Sequence, residues 1–155
     1  QPYDLNDEMT ALLGWRASTM DPKTALYYRS FEFNDAMTEA KQVLTRTLRS
    51  VNPVSQEDIR DARGVAQSRQ AEAFTEMRRL VQAAQAAGMN PMQIRQVLKQ
   101  SSISQANAEA LMRGTPPRLV LTVPAVAKAV QQARAMEGPE FAQEVARRYR
   151  MASGM

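Results

Sequence analysis

The side chains that could carry acid–base or nucleophilic chemistry in this chain are sixteen carboxylates, four lysines and scattered serine and threonine hydroxyls, for histidine and cysteine are both absent. A hydroxyl nucleophile needs a base beside it, and without imidazole that base has to be a lysine or a carboxylate brought in by the fold. Without cysteine there is no disulfide framework, no thiolate nucleophile and no sulfur ligand. A zinc or iron site would have to be built from carboxylates alone, a poor match to the usual ligands of those metals. No glycine-rich phosphate loop is present. The sequence therefore assigns no catalytic residue, no cofactor-binding residue and no metal ligand, and a protein that is not an enzyme is expected.

Two groups of arginines could do a different kind of chemistry, the binding of phosphate. Arg60, Arg63, Arg78 and Arg79 form one, and Arg147, Arg148 and Arg150 the other. A phosphate surface needs its cations on one face with few carboxylates nearby, whereas Asp61, Glu72, Glu76 and Glu144 interrupt these groups. A solvated, salt-bridged surface is the preferred reading. If DNA is contacted, Arg147, Arg148 and Arg150 are the candidate residues. The short helix pair over residues 91 to 113 has the outline of a helix-turn-helix, but its second helix offers only Arg113 as a cation, too few phosphate contacts for a reader.

The elements that would position these groups are helical throughout. Asp21-Pro22 combines a capping carboxylate with a proline suited to the first helical turn. A long amphipathic pattern follows to residue 51, with Leu26, Phe33, Met37, Ala40, Val43, Leu44, Thr47, Leu48 and Val51 on one stripe. Asn52-Pro53 ends it, because proline cannot continue the helical ladder. Ser55 and Asp58 then resemble the two members of a capping box, and capping accounts for the carboxylates Glu57 and Asp58 without catalysis. The second long pattern runs to residue 87 through Ile59, Ala62, Ala66, Ala73, Phe74, Met77, Leu80, Val81, Ala84 and Ala87. Gly64 within it is expected to mark a close crossing or a bend.

Asn90-Pro91 repeats the cap-plus-proline start for a short helix, Ser104 caps another, and Gly114 closes it. A first helix is also expected over residues 5 to 13, followed by a connector that docks the single tryptophan, Trp15. Trp15, Phe33 and Phe74 are the expected folding anchors. After Gly114, Thr115-Pro116-Pro117 stiffens the chain and residues 118 to 123 have strand-like character with no strand partner in view. An alanine- and glutamine-rich helix from Pro124 and a last helix from Glu140 complete the chain. The fold class expected is all-α: a long antiparallel helical hairpin, a short helical hairpin, and an extended C-terminal arm plus helices. Residues 1 to 114 would form a helical domain and residues 115 to 155 the proline-containing arm and C-terminal helices.

Composition bounds the partners. Hydrophobic residues reach 44% but aromatics only 6%, so apolar surface is spread thinly over helix faces and invites completion by another chain. Residues 1 to 40 carry three basic and seven acidic side chains, and the remainder seventeen and nine; the body is basic and the front acidic. No apolar run approaches the roughly 20 residues needed to cross a bilayer, so no membrane span is expected. The start at Gln1 suggests a piece of a longer protein.

The segment Leu12-Leu13-Gly14-Trp15-Arg16, followed by Met20-Asp21-Pro22, Ala25-Leu26 and Phe31-Glu32-Phe33, resembles a pattern in very large bacteriophage proteins. Val54-Ser55-Gln56-Glu57-Asp58-Ile59, Phe74-Thr75-Glu76-Met77, Ala87-Gly88-Met89 and Ile94-Arg95-Gln96-Val97-Leu98 are similar to the C-terminal helical region of phage internal virion, or ejection, proteins, which are often polyvalent and multidomain. The resemblance spans residues 9 to 114 and transfers no catalytic residue. It implies a structural, non-enzymatic module of a virion, present in the particle and in the host cell on delivery or during assembly. Its expected partners are further copies of itself, as a homo-oligomer, or neighbouring virion proteins, reached through Leu119, Leu121, Val126 and Phe141 of the arm. A basic helical module that binds nucleic acid is the alternative.

Overall fold

The structure, a computed structural model, describes residues 21 to 155. The expected helix over residues 5 to 13 and the docking of Trp15 lie outside the described residues. Among the described residues the protein is all-α, with six helices and no strand: α1 Pro22–Leu48, α2 Gln56–Ala86, α3 Pro91–Gln100, α4 Gln105–Arg113, α5 Val123–Glu137 and α6 Pro139–Ser153. None is long and apolar enough to cross a membrane.

Local chemistry explains where these helices start. The Asp21 carboxylate accepts from the Thr24 amide at 2.8 Å. Ser55 and Asp58 exchange bonds in both directions, the Asp58 amide to Ser55 Oγ at 3.0 Å and the Ser55 amide to Asp58 Oδ2 at 2.9 Å. Asn90 and Gln93 form the same reciprocal pair before α3. Each cap satisfies amides that have no partner within the helix. Gly138 ends α5 and also precedes Pro139 of α6, at φ +91°. That left-handed backbone is open to glycine and strained for other residues, so one residue separates two helices.

Compactness divides the chain into two units, each assembled from two stretches of sequence. The sequence division at residue 114 treats residues 1 to 114 as contiguous, whereas both long helices contribute to each unit.

In one unit, the described part comprises residues 21 to 35 and 72 to 117. Its buried side chains include Leu26 and Phe33 from α1, Phe74, Met77 and Val81 from α2, Ile94, Val97 and Leu98 from α3, and Leu111 from α4. Phe33 and Phe74 thus occupy the interior expected of anchors. Tyr27 meets Tyr28 and Phe31 edge-on, while Tyr28 and Phe31 keep much of their surface in water. Asn34 Nδ2 donates to the Ser101 carbonyl at 3.0 Å, and Arg95 pairs with Glu109 between α3 and α4.

The other unit comprises residues 36 to 71 and 118 to 155. Leu44 and Leu48 of α1, Ile59, Ala62 and Ala66 of α2, Ala129 and Ala133 of α5, and Val145, Tyr149 and Ala152 of α6 form one buried cluster. The alanines matter: short side chains at three- and four-residue spacing let helices approach closely, and the few large residues fill what remains.

Val51 and Ala87 depart from the expected stripes, and Gly64 from its expected crossing; Ala87 is exposed because α2 stops at Ala86. Val51 is 63% exposed, because α1 stops at Leu48 and the following residues leave its helical register. Gly64 meets nothing within 4 Å of the position a Cβ would take, so it marks no close crossing.

Candidate functional site

The arm begins where α4 ends. Thr115 to Thr122 runs without helix, turn or bend. Two adjacent prolines restrict φ at its start and disfavour helix there. Leu119 and Leu121 pack, partly buried, against the cluster of their own unit, as do Val126 of α5 and Phe141 of α6. The four residues expected to meet a partner are therefore already engaged within the chain. The alanine-rich cluster uses their bulk to exclude water, and each keeps part of its surface exposed. Val120 and Val123 face outward instead, 59% and 81% exposed. Alternation along an extended backbone accounts for Val120, which lies between two inward leucines, whereas Val123 is already the first residue of α5.

Two surface depressions flank the same unit. One, of about 240 Å³, lies along the arm and is lined by Leu44, Arg63, Arg118, Leu119, Leu121 and Ser153 among others. The other, of about 500 Å³, brings Arg46 and Arg49 beside Val51, Met136 and Phe141. Arg49 donates to Gln132 Oε1, and Arg63 to the Met155 carbonyl. Among the described residues no group of three or more carboxylates gathers as a cation site would need.

The three arginines of α6 have three different fates. Arg147 grips Glu144, Nη2 to Oε1 at 2.6 Å and Nε to Oε2 at 2.9 Å. Arg150 is exposed. Arg148 is 3% exposed and spends its guanidinium internally: Nη1 donates to the carbonyls of Leu48 at 3.3 Å and Ser50 at 2.6 Å, Nη2 to that of Asn52 at 3.2 Å, and Nε to Glu144 Oε1 at 3.2 Å. Its plane also lies over the Phe141 ring at 5.9 Å. Arg148 is thus withdrawn from any phosphate surface, a correction to its expected role. Burying a guanidinium is costly unless its donors are paired, and the carbonyls at the end of α1 lack helical partners and carry partial negative charge. Each supplies what the other lacks.

The hydrogen bonds from Arg147, with a smaller share from Arg148, hold the Glu144 carboxyl down from its ordinary 4.5 to about 2. Burial pushes the Tyr149 phenol up. Both groups lie on α6, which reaches the end of α1 through Arg148. The sequence missed Arg148 as a cap because its acceptors are remote in the chain, and it missed Val120 because alternation alone does not say which side faces the core.

Comparison with family models, with curated proteins and with solved structures finds no match to this chain.

Proposed function

We propose that the protein is a non-enzymatic structural module that assembles with copies of itself or with neighbouring proteins, and that its setting is a bacteriophage virion, as part of an internal or ejection protein. The observation that carries assembly is the arm. Leu119 and Leu121 anchor it to a packed cluster, while Val120 and Val123 project from it into solvent. An apolar side chain on an anchored backbone offers contact area without the cost of ordering a loose segment. The phage setting rests on the sequence resemblance.

The nucleic-acid alternative is weaker than the sequence suggests. Of its three arginines, Arg148 is consumed internally and Arg147 is neutralised by Glu144, leaving Arg150.

Deleting everything after Gly114 is a poor test, since it would strip Ala129, Val145 and Tyr149 from the cluster they share with Leu44 and Ile59. The test is the mass of the full chain by light scattering, across protein concentration and salt, with and without duplex DNA. Association that persists as salt rises and ignores DNA is the expected result. A monomer that binds DNA only at low salt would transfer the function to the basic module, because phosphate contacts weaken steeply with salt.

A further inference from the structure

Residues 118 to 122 have the anatomy of a β-strand with no sheet. Arg118, Val120 and Thr122 are exposed and Leu119 and Leu121 are partly buried, the period-two alternation of an extended chain lying on a core. The amides of Arg118, Leu119, Val120 and Leu121 and their carbonyls have no hydrogen-bond partner among the described residues. Elsewhere among the described residues the backbone is mostly spent within helices. A row of donors and acceptors unpaired among the described residues, carrying leucine and valine, is a template for strand addition.

We infer that this segment is a pairing edge completed by the same segment of a second copy, running antiparallel across a two-fold axis at Val120. The inference rests on the self-association reading above and names its contact. The usable window is bounded by Pro117, which has no amide to donate, and by Val123, where α5 begins. Its five residues have Val120 at the centre, so one register spans the whole window, although the Thr122 carbonyl is already held by the Val126 amide at 3.0 Å. That register sets Val120 against Val120, Leu119 against Leu121 and Arg118 against Thr122. Like charges never face each other, and both leucines stay on the side of their own cluster while the valines meet on the outer side. Centring the pair on Arg118 would oppose two arginines and bring Pro116 into the ladder opposite Val120, which proline disfavours. Isologous contact of this kind closes on itself as a dimer. Five residues a side is far less than the roughly 800 Å² per partner of a standard interface. The pairing is accordingly weak alone and acts where copies are concentrated.

The absence of cysteine makes the test direct. In the full chain, Val120→Cys puts a single thiol on the axis, where directly opposed Cβ atoms lie about 4.5–5.5 Å apart, near the separation a disulfide bridges. Met92→Cys is the control, a more solvated position in the other unit, at 77% exposure against 59% for Val120. Under mild oxidation the Val120→Cys chain is expected to cross-link to a dimer at least tenfold faster than the control. Val120→Pro removes an amide with no partner among the described residues, and sedimentation equilibrium is expected to show its self-association lost with helix content unchanged. Equal cross-linking rates overturn the inference, whatever Val120→Pro does to the fold. If the chain associates with equal cross-linking rates and Val120→Pro has no effect, the strand edge falls and self-association stands. A chain that stays monomeric at every concentration, with equal rates, removes both.

Discussion

Arg148 donates to the Ser50 carbonyl at 2.6 Å although 98 positions separate the two residues. The bond joins α6 to the end of α1, and with the bonds to Leu48 and Asn52 it supplies the C-terminal cap that the sequence around Asn52-Pro53 does not provide for itself.

Replacing Arg148 by alanine is expected to destabilise the fold by about 2–4 kcal/mol, since buried carbonyls and the Glu144 carboxylate lose a paired cation at once. Arg148→Lys is expected to recover less than half of that loss, because an ammonium cannot reproduce the planar fork that reaches three carbonyls. Urea unfolding measures both. An alanine variant within 0.5 kcal/mol of the parent, the scatter of ordinary surface changes, would show that the carbonyls are served by water instead.

Glu144 makes stability depend on acid. Its carboxyl titrates at about 2 in the folded chain and near 4.5 when unpaired. A carboxylate lowered on folding favours the folded state fully above its unfolded value and loses that contribution as pH falls toward its folded value. The gap in unfolding free energy between the parent and Glu144→Gln is therefore expected to be constant above about pH 5 and to shrink between about pH 4.5 and 2. With the Glu144 side chain 35% exposed, solvent screening keeps this gap smaller than the loss in Arg148→Ala. A gap that does not change with pH would remove the ion pair from the account.

Gly114 closes α4 at φ +80°, and a Cβ there would lie 3.1 Å from Arg78 Nε. Arg78 Nη1 donates to the carbonyls of Leu111 at 2.5 Å and Met112 at 3.0 Å, so the guanidinium cannot retreat without releasing them. Gly114→Ala is expected to cost more than 1 kcal/mol, the left-handed strain adding to the displaced cap. Arg78→Ala, Gly114→Ala should then cost less than the sum of the single changes, by thermal unfolding. Strict additivity would mean that the two residues are independent.

Much of the helical content was legible. The starts at Asp21, Ser55, Asn90 and Ser104 follow from bonds spanning three residues, and such local pairs appear in sequence as residue types at fixed spacing. The inward stripes of α1 and α2 followed from helical period, except where that period stopped: Val51 and Ala87 continue the stripes on paper but lie beyond Leu48 and Ala86 and are exposed. The candidate site was less legible. Leu119 and Val120 have the same apolar character in sequence, and only the cluster beneath Leu119 distinguishes them.

What the sequence alone determined is the class of the protein: helices with their caps, proline stops, and a set of side chains lacking imidazole and thiol. What only tertiary structure decided is the fate of individual groups: which arginine of three is buried, which face of the arm is open, and which stretches combine into each compact unit. The division has a physical cause. Capping and helix periodicity act over three or four residues, whereas the desolvation of a guanidinium or a leucine depends on neighbours that the chain brings from far along its length, as α1 and α6 do at Ser50 and Arg148.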